Sequence, residues 1–181
     1  MESVLERNAR VQRNNGPSEQ VKQRIIAFLP RLRRFCLVLT GSNDQCDDLL
    51  QETVERALTR IEQWQAGTSL ESWMFRIAQN LHIDRIRAQG RRGQQVDVDQ
   101  LADMSGDDGR IITEVRSELA HAKAAMASLP DDQRILLALV AIDGRSYKEA
   151  AEILGLPIGT VMSRISRARH AIDLFLNGKA L

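Results

Sequence analysis

The sequence predicts an all-α protein of two small helical domains joined by a flexible acidic linker, the second domain containing a helix-turn-helix. Three observations carry that expectation. Aromatic residues make up only 4% of the chain, which is instead rich in Leu, Ala, Arg, Glu and Gln, the residues that favour helix over strand. Apolar residues recur at spacings of three and four over long stretches, the pattern of amphipathic helices. Breakers then divide the periodic text: "LTGSND", "WQAGTS", "LPDD" and "IDGRS" interrupt it briefly. The segment "QGRRGQQVDVDQLADMSGDDG" interrupts it for longer, with no sustained apolar period, and reads as a tether. With 181 residues the chain can hold one large or two small domains, each with a core.

The expected order is a disordered polar segment over 1–18, which contains "NNGPS", then a helical domain over 19–88, the linker over 89–109 and a second helical domain over 110–181. Charge is sorted into blocks beneath a net charge of +1. Residues 1–40 hold eight basic and three acidic side chains, and residues 41–62 six acidic and two basic. Residues 73–93 hold five arginines against one aspartate, and residues 94–132 nine acidic against three basic. Such alternation fits several partners of opposite sign, nucleic acid among them, although solvated helix faces would also produce it.

Several classes are disfavoured. No apolar run reaches the ~18 residues of a membrane helix, and the start of the chain, with Glu2, Glu6 and Arg7, lacks a signal-peptide core. Cys36 and Cys46 form no CxxC pair, so a cytoplasmic protein with reduced thiols is expected. His82, His121 and His170 have no ligand spacing, and neither a metal nor a cofactor is expected. Without a glycine-rich phosphate loop or a nucleophile–base pairing, an enzyme is the weakest class.

In the first domain, "DDLLQETVERALTRIEQW" aligns Leu50, Val54, Ala57, Leu58 and Ile61 on one face. Asp47, Asp48, Gln51, Glu52 and Glu55 leave the remainder acidic, which suits a basic protein surface and not phosphates. A small polar loop between two tryptophans follows. Its succeeding helix carries Arg76, Asn80, Asp84, Arg85 and Arg87 beside apolar Trp73, Met74, Ile77 and Leu81. Asn can pair with a base edge and Arg can hold phosphate. The tryptophans could stack on bases or could equally anchor a small bundle.

In the second domain, Ser146 followed by Glu149 has capping-box spacing, so a helix should begin at Tyr147. Gly155 can end it in the left-handed region, and Pro157 suits the first turn of the next helix. There Ile158, Val161, Ile165, Ala168 and Ile172 form an apolar stripe. Thr160, Ser163, Arg167 and His170 fall opposite it, with Arg164 on the flank and Arg169 nearer the stripe. Small hydroxyls near a helix start and arginines farther along suit a major-groove reader. Ala151, Gly155 and Val161 have helix-turn-helix spacing. Two packed helices with a basic face would look similar.

The ordered set "LPRLRRFCLVLTG", "CDDLLQETVERAL", "SLESWMFRIAQNLHIDRIR" and "LPDDQRILLALVAIDGRSYKEAAEILGLPIGTVMSRISRAR" closely resembles the extracytoplasmic-function (ECF) sigma factors of bacterial RNA polymerase. The resemblance covers nearly everything from Ile25 to Leu176 except the linker, and "SYKEAA" is similar to the alphaproteobacterial general-stress members. It implies that Asp47, Asp48, Gln51 and Glu52 bind the polymerase clamp helices. It implies that the loop from Gln65 through Thr68 to Ser69, with Arg76, Asn80 and Asp84 on the following helix, opens and reads the −10 element. It assigns the −35 element to Thr160, Ser163, Arg164 and Arg167, and the linker to the RNA exit region. Met162 stands where the family often has Lys, which removes a potential phosphate contact. The implied partners are core RNA polymerase, promoter DNA and an anti-sigma factor, with the chain monomeric outside its complexes and not inserted in a membrane. Two alternatives remain at this level: a sigma-mimicking protein that sequesters an anti-sigma factor, and an autonomous helix-turn-helix regulator.

Overall fold

A computed structural model describes residues 18–91 and 120–178. The expected disordered segment, save Ser18 at its end, most of the linker and the start of the second helical domain lie outside the described residues. The described residues form helices and turns with no strand. Three long helices make the first half: α1 (Glu19–Thr40), α2 (Asn43–Thr59) and α3 (Leu70–Arg91). The second half holds a helical segment over 120–127 (α4), then α5 (Asp131–Leu137), α6 (Tyr147–Leu154) and α7 (Ile158–Leu176). Helix α3 runs three residues past the boundary expected at 88.

Local chemistry explains the boundaries. Ser18 caps α1, its hydroxyl accepting from the Val21 backbone N–H. Gly41, at φ 71°, ends the same helix in the left-handed region, its N–H bonded to the Leu37 carbonyl. Pro30 lies inside α1 on its exposed side, where water can take the carbonyl that the missing N–H leaves. After α5 the helix widens into a π segment, Ala138–Ile142, and the Asp143 N–H reaches back to the Ala138 carbonyl.

Helices α1, α2 and α3 pack on one another around Leu32, Phe35, Leu39, Leu49, Met74 and Phe75, all nearly inaccessible. Phe75 is the centre. Its ring stands edge-on to Phe28 at 4.9 Å and to Phe35 at 4.8 Å, the geometry favoured by aromatic quadrupoles. The α2 stripe differs in phase from expectation: Cys46, Leu49, Thr53 and Ala57 are buried, Leu50 and Val54 are partly covered, and Leu58 is exposed. Thr53 is tolerated there because its hydroxyl donates to the Leu49 carbonyl at 2.7 Å. Cys36 and Cys46 are free, and burial pushes the Cys36 thiol up to about 12, which suits inert packing groups.

The two halves are not held apart. One core runs from Ile25 and Phe28 through Leu81 into Ile135, Leu136, Leu139, Ala150, Ile153 and Ile165. Helix α1 packs on α5 and the π segment, and α3 on α6. Polar ties reinforce the seam. Arg31 makes two 2.9 Å bonds to Asp143, whose side chain is only 4% exposed. Asp143 also accepts from Arg145 at 2.9 Å, and the Arg145 guanidinium lies over the Phe75 ring at 5.6 Å. Hydrogen bonding and the Asp143 charge raise the Arg31 pKa against the opposing effect of burial, so the guanidinium is charged at any working pH.

Phe75→Ala removes the ring on which both halves converge. It should cost about 3–5 kcal/mol, measured by denaturant unfolding, through the lost transfer energy and the cavity left behind.

Candidate nucleic-acid interface

The helix-turn-helix forms as its local chemistry dictates. The Ser146 hydroxyl accepts from the Glu149 N–H at 3.2 Å, while the Glu149 carboxylate accepts from the Ser146 N–H at 2.8 Å. Gly155 closes α6 at φ 64°, its N–H on the Ala151 carbonyl. Pro157 occupies the position before α7, one residue earlier than expected, with φ −59° already suited to the helix. Val161, Ile165 and Ala168 anchor α7 in the core and Ile172 is partly covered, but Ile158 is 50% exposed and leaves the stripe.

On the outer face of α7, Ser163, Met162, Arg167 and His170 are exposed and Thr160 is partly so. The Ser163 hydroxyl donates to the Thr160 carbonyl at 3.0 Å, and the Arg167 Nε to the Ser163 carbonyl at 3.4 Å. These local bonds lay Arg167 along the helix, from which it is free to swing outward. Arg164 differs: its Nε lies 3.1 Å from Asp132 at the start of α5, and its side chain is 28% exposed. Arg169, expected nearer the apolar stripe, is exposed.

The second cluster surrounds the loop between α2 and α3. A 3₁₀ turn, Ile61–Gln63, leads to Trp64, and the loop folds on itself: Thr68 bonds the Gln65 carbonyl through both its N–H (3.1 Å) and its hydroxyl (2.8 Å). Ser69 starts α3, its hydroxyl accepting from the Ser72 N–H at 3.1 Å. Glu71 accepts from Arg24 at 3.2 and 3.3 Å and from Ser69 at 3.0 Å. Burial pushes its carboxyl up, but its own backbone N–H, Arg24 and Ser69 outweigh that and leave it below the ordinary value. The Arg24 guanidinium also stacks over Trp64 at 5.6 Å, which fixes that ring.

Gln65, Thr68, Ser69 and Arg76 converge with Trp64 and Trp73 on one open cavity of about 450 Å³. Asn80 lies beyond it, lining an adjoining cavity of about 190 Å³ with Arg76, Arg56 and Arg60. Neither cavity includes Asp84, which pairs with Arg87 at 3.9 Å on the exposed side of α3. Sequence reasoning overlooked Arg56 and Arg60, although their spacing of four offered a signal. It also could not anticipate that Arg76 donates to the Ile153 carbonyl at 2.7 Å and to the Glu152 carbonyl, both at the end of α6.

The acidic face of α2 is built as expected but is partly compensated. Asp48 and Gln51 are exposed, Gln51 bonding Glu55 at 2.9 Å. Asp47 accepts from Arg33 at 2.9 Å, and Glu52 from Arg56 at 3.0 Å and Arg85 at 2.8 Å. Arg85 therefore belongs to the acidic face and not to a phosphate-holding one. Among the described residues no cluster of three potential metal ligands occurs, and no helix is long and apolar enough to cross a membrane.

A helix-turn-helix packed on a three-helix unit with an acidic face and a tryptophan-lined loop defines a two-part promoter-recognition protein. Sigma-70 region 2 matches residues 25–92, and Sigma-70 region 4 matches residues 115–172. The chain belongs to the ECF sigma factors of bacterial RNA polymerase. It is 36% identical over 159 residues to the ECF RNA polymerase sigma factor EcfG of Rhodopseudomonas palustris, covering 88% of this chain and 86% of that one. It is 35% identical over 135 residues to the sigma-E factor of Escherichia coli, covering 70% and 71%. Among solved structures, the sigma factor RpoE in complex with the anti-sigma factor NepR from Bartonella quintana matches with a TM-score of 0.76 and 31% identity, covering 88% of this chain and 98% of that one. Like the rest of its family, the chain is a transcription-initiation factor that binds core RNA polymerase and directs it to promoter DNA; sigma factors are not enzymes.

Ser146→Ala should lower stability by about 1 kcal/mol, read as a fall in Tm, because it leaves a helix-start N–H without its cap. Hydrogen bonds from the Ser146 backbone, then its hydroxyl and then Arg145 hold the Glu149 carboxyl down to about 2, from an ordinary 4.5. A depressed acid stabilises the fold above its unfolded value and loses that contribution as pH falls. The loss therefore runs from about 4.5 down to about 2, and Glu149→Gln should flatten this part of the acid-unfolding curve.

Proposed function

We propose that the two exposed clusters divide promoter recognition between them. In this reading the unit over 19–88 binds core polymerase and the −10 element, and the unit over 110–181 binds the −35 element, with 89–109 as the connection. The carrying observation is the convergence of Gln65, Thr68, Ser69 and Arg76 with Trp64 and Trp73 on one cavity. An unstacked base needs an aromatic wall, hydrogen-bonding groups at its edge and a cation for its phosphate, and this cavity offers all three. Asn80 extends the surface along α3, and Asp84 contributes one turn farther on. The cost of unpairing a base, a few kcal/mol, is offset by what the pocket gains, so melting and reading become one event.

Thr160, Ser163 and Arg167 would read the −35 element from the open face of α7, with Arg164 joining them on release from Asp132. Asp47, Asp48, Gln51 and Glu52 would meet the basic clamp helices of the polymerase. Neither contact need be strong alone, since the polymerase holds both on one duplex and raises their effective concentration. The likeness to EcfG and to an RpoE held by NepR supports membership of the general-stress subgroup, control by an anti-sigma protein, and action in the cytoplasm as a monomer outside its complexes.

Run-off transcription with bacterial core polymerase on a fully paired genomic promoter library tests the assignment. Transcripts should start only when the chain is added, and their aligned upstream sequences should show two elements. Absence of transcripts despite tight anti-sigma binding would instead make the chain a mimic, while DNA binding without either effect would make it an ordinary regulator. On an active promoter, Arg167→Ala should lower promoter affinity by about 1–3 kcal/mol and relax specificity in the −35 element, while a −10 mismatch should cost the variant as much as it costs the parent.

A further inference from the structure

We infer that Met162, with Ile158 one turn before it, reads thymine in the −35 element: the two side chains cover a thymine C5-methyl group in the major groove. The inference deepens the reading of α7 as the −35 helix and rests on it.

The first observation is apolar surface where the fold has no use for it. Ile158 is 50% exposed and Met162 54%, although the stripe that anchors α7 runs along Val161, Ile165 and Ala168. One exposed apolar side chain is ordinary on a protein surface; two on successive turns of one helix make a patch. This patch sits at the start of the second helix of a helix-turn-helix, the part that meets base edges. Long side chains in a helix lean back toward its start, so Met162 lies over the turn that holds Ile158 and Gly159.

The second observation is Gly159. It is exposed in the first turn of α7, its φ is not left-handed, and a Cβ there would meet nothing within 4 Å. Neither packing nor backbone conformation calls for glycine, which weakens a helix relative to alanine. A bare backbone at this place lets a base edge come close.

The third is the arrangement around the helix. At about 100° per residue, Ile158 and Met162 fall to one side of Ser163, while Thr160, Arg164 and Arg167 fall to the other. One flank carries hydroxyl and guanidinium groups that suit base edges and phosphate; the other carries hydrocarbon and a thioether. In the major groove G, C and A offer hydrogen-bonding groups, and thymine adds a methyl group. An apolar flank laid on the other three would strip water from polar edges without replacing a hydrogen bond. The thymine methyl is the group that it can cover at a gain. A lysine at this place would reach for phosphate and be indifferent to the base, whereas methionine makes the contact base-specific.

Deoxyuridine differs from thymidine only in lacking that methyl group. Holoenzyme assembled from core polymerase and the full chain would be titrated with a promoter that it transcribes. Each thymine on either strand of the −35 element would be replaced in turn by deoxyuridine. One replacement should weaken binding about fourfold, the worth of one buried methyl group, and the others should change it little. Met162→Ala should remove most of that penalty, and Met162→Leu, equally apolar, should retain it. Absence of any deoxyuridine penalty in the parent would overturn the inference, as would a penalty that Met162→Ala leaves intact. Weaker binding of Met162→Ala to core polymerase, with the penalty intact, would overturn it in favour of a protein contact for the patch. Arg167→Ala separates the two readings. If it relaxes −35 specificity while Met162→Ala moves no penalty, the inference alone falls. If neither variant alters the response to any change in the −35 element, the −35 assignment falls, and the inference with it.

Discussion

The structure depends on one apolar seam, where the inner faces of α1 and α3 meet the second half of the chain. Phe75 lies at its centre, edge-on to Phe28 and Phe35 and covered by Arg145. From there the core continues without a break into Leu136, Leu139, Ile153 and Ile165. Neither half therefore presents its full surface in this conformation. In the proposed reading the two halves take elements about 25 base pairs apart, ~85 Å of duplex, so the seam is a fold-stabilising contact and a functional obstacle at once. Such a contact has to be firm enough to define a state and weak enough to be exchanged for polymerase and DNA.

The charge pattern follows from that constraint. Charges far apart in the sequence become partners across the fold: Arg31 with Asp143, Arg24 with Glu71, Arg164 with Asp132, and Arg85 with Glu52, the last joining two of the charge blocks. Most of these pairs are partly exposed, and each adds little stability. Arg31–Asp143 is the exception in geometry, being a bidentate fork onto a covered carboxylate. In the proposed reading their larger effect is to occupy side chains that external partners would use. Arg164 is held by Asp132 and Arg76 by the end of α6. Asp48 and Gln51 remain open on α2, as do Ser163 and Arg167 on α7.

What was legible in the sequence was local. The capping box at Ser146 and Glu149, the left-handed Gly155 and the Val161–Ile165–Ala168 stripe all rest on contacts within a few residues, and all formed as read. The ordered motifs likewise carried the family. The α2 stripe lies out of phase with its expected face because Cys46 and Thr53 enter the core. Thr53 does so by bonding the carbonyl one turn back, and α2 turns that side toward both α1 and α3. Ile158 leaves the stripe because Pro157 starts α7 beside it, at the edge of the packed surface. The pairing of Arg85 across 33 residues and of Arg76 across 77 had no local signal, since spacing along one helix says nothing about the element packed against it. The residues that line the loop cavity are thus visible in the sequence, while the helix packed against them is not.

The central claim is that this chain has a closed state that promoter engagement must undo. The most direct measurement is the distance between a donor at Gln23 of α1 and an acceptor at Lys148 of α6, both exposed positions, introduced as cysteines while the buried native thiols are left unlabelled. Energy transfer should be high in the free chain and nearly vanish once the labelled chain is assembled with core polymerase on a promoter spanning both elements. Equal transfer in the free and promoter-bound states would contradict the account, because it would mean that the halves read DNA without parting.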